Sequence, residues 1–236
     1  MKQLELNPNY KVTSIKINDI NEDILIVDDF IKDLEPIMHF AKQYAYLQPV
    51  GSDGTLYPGK RDDMPEPYFK VFIKLINNLL EKKHLNTDDK NVYLHKAKLS
   101  LVTLEPKDLN TLQKMPHVDS TDDKTFAAVH YLVGGEFGGT AIYRYIPFNL
   151  IKITKDKEHL AHQMITQVKN NPIQHQSYLS DNTSLFEKVV NVSAKLNRVV
   201  LYKSNLLHSA NLKDKINYID DINLGRLSIS SFFRID

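Results

Sequence analysis

His117 and Asp119 sit two apart in the stretch Met115-Pro116-His117-Val118-Asp119-Ser120. On an extended strand that spacing sends both side chains to one face. A neutral imidazole and a carboxylate pointing the same way supply two corners of a transition-metal site. By itself the pair fits equally a histidine hydrogen-bonded to a nearby surface acid, because His-x-Asp arises often by chance. A third donor lies far downstream, where a strand-like run from Arg198 to Ala210 delivers His208 after an apolar segment. The chain then closes on a run from Gly225 to Phe233. In it Arg226 and Ser228 share one face, with Leu227 and Ile229 on the other.

The order His-x-Asp, a long gap, His, then Arg-x-Ser on the final strand resembles the iron(II)- and 2-oxoglutarate-dependent oxygenases, in their prolyl-hydroxylase-like branch. The resemblance runs from about Ala97 to the C-terminus, and the four parts together carry it. It implies that His117, Asp119 and His208 form the facial triad of a non-haem iron(II) centre, which leaves positions open on the metal. Two of these would take the keto acid end of 2-oxoglutarate and the last would take O2. Oxidative decarboxylation to succinate and CO2 would then drive oxidation of a substrate, with positioning and water exclusion left to the protein. The far carboxylate of 2-oxoglutarate needs a charged donor. Arg226 suits it, since a planar guanidinium meets a carboxylate bidentately, and Ser228 would add a hydroxyl. Tyr131 would supply a third hydrogen bond on the family pattern, or is a packed core tyrosine. Family halogenases carry a small residue in place of the acid, so Asp119 favours hydroxylation or a related oxidation. Two departures stand out. The gap from His208 to Arg226 is wide, to be absorbed by a polar loop at Asp214–Asn223, and residues 152–189 form a large insertion.

With 236 residues the chain is long enough for one domain with a substantial core. The formal net charge of +1 gives no global attraction to nucleic acid or to an acidic membrane surface. The absence of cysteine removes thiolate ligands and disulfides, so a metal would have to be held by His, Asp or Glu. No signal-peptide pattern opens the chain and no apolar run is long enough to span a bilayer, so a cytoplasmic protein is the expectation. The expected partner is a small-molecule or peptidyl substrate.

The elements that must position these residues read as follows. Residues 1–27 give short strands, Lys16–Ile20 and Asp23–Val27. A helix follows Asp33, a reasonable N-cap, with Leu34, Ile37, Met38, Ala41 and Tyr44 on one face. A Pro- and Gly-rich stretch then holds Tyr57–Arg61, either a substrate-side loop or a plain connection. A second helix spans about Pro67 to Lys83, with Phe69, Phe72, Leu75, Ile76, Leu79 and Leu80 on its sheet-facing side. Strands follow at Val92–His95, Ala97–Leu104 and Phe126–Val133. In the last, Tyr131 shares a face with Ala127 and Val129, while His130 points the other way as a structural histidine. Glycines 134–139 make tight turns. Helix-like Lys155–Val168 and a polar stretch to Thr183 make the insertion a candidate lid. Its Glu158, His159 and His162 read as an exposed polar face in preference to a metal site. Strand pattern resumes at Val189 and runs through His208.

Periodicity alone gives two helices followed by many strands, a mainly β, α+β chain. The resemblance makes this a double-stranded β-helix, a jelly-roll barrel buttressed by N-terminal helices. A single oxygenase domain of 1–236 would comprise supporting elements in 1–90 and the jelly-roll core in 91–236. Two other readings keep the same ligands. One is a jelly-roll metal- or sugar-binding protein without 2-oxoglutarate turnover, and the other is a zinc hydrolase.

Overall fold

The computed structural model describes residues 1–212, 216 and 218–236. The chain is an α+β protein with two antiparallel sheets and few helices. It opens with the hairpin β1 (Lys11–Ile17) and β2 (Glu22–Asp28). The segment Lys16–Ile20, expected as one strand, is split. Lys16 and Ile17 end β1, and Asn18–Ile20 make a single 3-10 turn into Asn21, whose φ of 52° reverses the chain. Helix α1 (Glu35–Gln43) starts one residue later than an Asp33 cap requires, with Leu34 at the cap position. Asp33 still serves the first turn, its Oδ1 accepting the Glu35 N–H at 2.9 Å. Ile37 and Ala41 are buried as the periodicity demands, but Tyr44, past the last turn, is exposed.

Strand β3 (Gly59–Asp63) leads into α2 (Glu66–Glu81), whose Tyr68, Val71, Phe72, Leu75, Ile76 and Leu79 are buried. Strand β4 (Val92–Val102) is continuous where two separate strands were expected. The cause is a bulge. Pairing with the last strand skips His95, so Leu94 and Ala97 both face the helices and the alternation breaks without ending the strand. Then come β5 (Thr125–Tyr131), β6 (Gly139–Tyr145), α3 (Glu158–Lys169), β7 (Phe186–Ser193), β8 (Val199–Lys203), β9 (His208–Asn211) and β10 (Leu227–Ile235).

The larger sheet runs β1-β2-β8-β5-β10-β4-β3 and the smaller β7-β6-β9. The run from Arg198 to Ala210 therefore belongs to both sheets. It turns at Ser204-Asn205 between β8 and β9. Periodicity misses the turn because apolar residues on both sides of it are buried, Leu201 before and Leu206 and Leu207 after. The sheets are open, and hydrogen bonding among the described residues closes no barrel. Part of the loop expected at Asp214–Asn223 lies outside the described residues.

One face of the large sheet packs under α1 and α2, bringing Phe72 against Phe30, Tyr68 and Phe233. The opposite face meets the small sheet, where Ala127, Tyr131, Val200 and Tyr202 share a core with Ile142, Val190 and Val192. Helix α3 covers a third core around Tyr143, Tyr145 and Phe186. No helix among the described residues is long and apolar enough to cross a membrane. Phe72→Ala would leave a void at the centre of the helix–sheet contact and should cost about 3–5 kcal/mol. Urea unfolding should show this as a lower midpoint with an unchanged slope.

Candidate metal centre and anion pocket

His117 lies on an extended segment paired with β9 by an isolated antiparallel bridge to His208. Each residue's backbone N–H donates to the other's carbonyl at 2.9 Å. Asp119 is held by its own N–H, which donates to Ser204 O at 2.8 Å. These backbone bonds bring the three side chains together, with one ligand atom from each lying within 4.8 Å of the others. Asp119 Oδ2 is 3.3 Å from His208 Nε2, and Asp119 Oδ1 is 3.7 Å from His117 Nε2.

The donor set fits a six-coordinate divalent metal. Neighbouring ligand atoms at about 2.1 Å from such an ion lie about 3 Å apart. His208 Nδ1 is 2.9 Å from Leu206 O. A proton there donates to the carbonyl and leaves the Nε2 lone pair facing Asp119, the arrangement that fixes a ligating imidazole's tautomer. Electrostatics favours the ligating form at His117 and Asp119. Burial, then His208, lowers the His117 pKa to about 4, so this ring is neutral. It still has 54% of its side-chain surface accessible because it faces a cavity. Burial works to raise the Asp119 carboxyl, but the imidazoles, His208 foremost, hold it below the usual range. For His208, burial lowers the pKa and the Asp119 carboxylate more than reverses that.

The cavity measures about 720 Å³, and all three donors line it. Arg226 and Ser228 also line it. Arg226 is buried at 3% exposure just ahead of β10. Its Nε donates to Phe137 O at 3.2 Å and its Nη2 to Gly139 O at 3.1 Å. Among the described residues no carboxylate lies within 4 Å of it. Leu227, Ile229 and Phe233 face the helices, as the alternation required.

Tyr131 is fully buried in the intersheet core and does not line the cavity. Its hydroxyl is engaged with Thr140 Oγ1 at 2.5 Å, and Arg226 sits 5.5 Å over its ring. His130 is the structural histidine expected, buried between Tyr68 Oη at 3.5 Å and Asn197 Oδ1 at 3.2 Å. Glu158, His159 and His162 are exposed on α3, and Glu158 accepts a hydrogen bond from Thr121.

The stretch Tyr57–Arg61 does border the site, and so does the insertion, which contributes Ala161, Met164, Ile165 and Tyr178 to the wall. The stretch 170–183, expected as part of a lid, is anchored, since His175, Tyr178 and Leu179 within it are buried. Ser100, whose Oγ accepts from Arg61 Nε, and the lining residues Thr140 and Tyr202 are residues that motif reading passed over. Strand register exposes the first of them. Arg61 pairs with Ser100, Ser100 with Ser228 and Ser228 with Tyr131, so one row crosses four strands on a single face.

A family model described as a family of unknown function, DUF6445, matches residues 8–233. The chain belongs to that family. The match takes in the three clustered donors and both Arg226 and Ser228. No curated protein matches the chain. Replacing His208 with Ala should remove high-affinity Mn(II) or Fe(II) binding, read by calorimetric titration, with the far-ultraviolet dichroism unchanged. Retained metal affinity would show that the cluster is only a hydrogen-bonded group.

Proposed function

We propose that this protein is an iron(II)- and 2-oxoglutarate-dependent dioxygenase, a hydroxylase of the prolyl-hydroxylase-like kind. The observation that carries the reading is Arg226, a buried guanidinium with no carboxylate partner among the described residues, facing the same cavity as a His-Asp-His donor set. A buried charge with no counterion is strongly unfavourable. Two carbonyls orient this one without neutralising it, and a dianionic cosubstrate would complete the pairing.

The strand order supports the jelly-roll reading. Strands β8-β5-β10-β4 within the large sheet face β7-β6-β9, and the bridged segment at His117 adds a fourth member beside β9. His117, Asp119 and His208 would hold iron(II), which when bound with 2-oxoglutarate supplies the oxidising chemistry. Arg226 and Ser228 would receive the far carboxylate. Met115, Met164, Ile165 and Ile153 give the cavity an apolar wall that excludes water and leaves room for a small molecule or a peptidyl side chain.

The chain incubated with Fe(II), O2 and 2-oxoglutarate should release succinate, and a chelator should stop it. Arg226→Lys keeps the charge but loses the fork, and should raise the Michaelis constant for 2-oxoglutarate by about tenfold. Arg226→Ala should raise it by about a hundredfold, with metal affinity retained. Zinc-supported hydrolysis indifferent to 2-oxoglutarate would replace this reading with a hydrolase.

A further inference from the structure

The Tyr57 hydroxyl is fully buried and has no hydrogen-bond partner of good geometry among the described residues. A phenol in that position is costly, because a buried O–H normally finds a partner. Its surroundings point to a ligand. The ring belongs to a residue that lines the cavity, and the fields of both Arg226 and Arg61 reach its oxygen. Ser228 and Ser100 lie close enough to favour its charged form, yet neither bonds to it with good geometry. Thus Tyr57 stands beside the two residues assigned to the anion, with an uncommitted donor.

How it is held is equally specific. Tyr57 rides on the loop that joins Gln48 to β3, closed at its base by the bridge between Gln48 and Arg61. Arg61 reaches back from β3 into this loop. Its Nη1 donates to Asp53 Oδ2 at 3.1 Å and to Thr55 Oγ1 at 3.2 Å. Its Nε donates to Ser100 Oγ at 3.1 Å, and its guanidinium lies 4.6 Å over the Tyr57 ring. One buried arginine therefore ties the loop, the tyrosine ring and strand β4 together. Tyr57 also packs against a cluster that includes Tyr178 of the insertion.

We propose that Tyr57 donates the third hydrogen bond to the anion held by Arg226 and Ser228, and that Arg61 is the positioning residue that keeps it there. The proposal rests on the 2-oxoglutarate reading, and it assigns to a loop residue the role that the family pattern suggested for Tyr131. Tyr131 is unsuited to the role because its hydroxyl is taken by Thr140 and its ring lies outside the cavity wall. A donor on a loop has a consequence that a donor on a strand lacks. Anion binding and loop order become linked, each favouring the other by the same factor.

The test uses the full chain loaded with Mn(II), a redox-inert stand-in for iron, titrated with 2-oxoglutarate by calorimetry. No binding to the wild-type chain would bring down the parent reading. Given binding, Tyr57→Phe should weaken it by about tenfold, the effect of losing one hydrogen bond to a charged group, with melting temperature and Mn(II) affinity unchanged. Arg61→Ala should weaken it as much, and Arg61→Lys should recover part of the loss. The double variant should be no weaker than Tyr57→Phe alone, since Arg61 acts through the tyrosine. In hydrogen exchange, 2-oxoglutarate should slow residues 50–58 in the wild type and leave them unchanged in Tyr57→Phe. Wild-type affinity in Tyr57→Phe would overturn the assignment while the parent reading stood. An additive loss in the double variant would overturn the positioning role and give Arg61 a contact of its own.

Discussion

Two reciprocal backbone hydrogen bonds between His117 and His208 set everything at the site. They join a segment with no other strand partner among the described residues to β9, and β9 is in turn registered against β6, with His208 opposite Ile142. Main-chain pairing fixes side-chain direction far more firmly than side-chain contacts do, because strand residues alternate by construction. The imidazoles are thereby held 4.4 Å apart between ring centroids and tilted by 50°, and Asp119 is held beside them by its own bond to Ser204. A donor set built this way is preorganised. A metal would meet Asp119 oxygens already 3.3 and 3.7 Å from the two imidazole nitrogens, against about 3 Å between neighbouring coordination positions.

Burying Arg226 is the second constraint, and the turn between β5 and β6 meets it. Gly138 adopts a φ of +87°, and a Cβ there would come within 2.0 Å of Asn211 O. With glycine in place the backbone folds tightly enough to aim the carbonyls of Phe137 and Gly139 at the guanidinium. Carbonyls satisfy N–H groups without cancelling charge. The arginine is thus fixed in direction while its field remains available to an anion. By contrast, Arg61 is neutralised by Asp53, which fits it for holding a loop.

The same sheet has to serve two environments, and the period of two makes this possible. On β10, Leu227, Ile229 and Phe233 join the helix-covered core while Arg226 and Ser228 face the cavity. A slip of one residue would exchange the faces and bury the polar set under α2. The apolar face therefore enforces the register that turns Arg226 and Ser228 into the cavity.

Local pattern in the sequence determined which of these residues share a face, and the family resemblance grouped them into one candidate site. The pairs His117 with Asp119 and Arg226 with Ser228 were readable from alternation, as were Ile37 and Ala41 of α1, much of the buried face of α2 and the turn of His130 away from Tyr131. The bulge at His95 and the turn at Ser204-Asn205 were not, because hydrogen-bond register, unlike hydrophobicity, leaves no trace in a single strand's composition. Tertiary structure alone decided which tyrosine faces the cavity. Tyr131 and Tyr57 are equally plausible by type, but the first is sealed into the intersheet core by Thr140 while the second is carried to the cavity by a loop. That outcome depends on cross-strand pairing among β3, β4, β10 and β5, a relation between segments distant in sequence that no local period encodes.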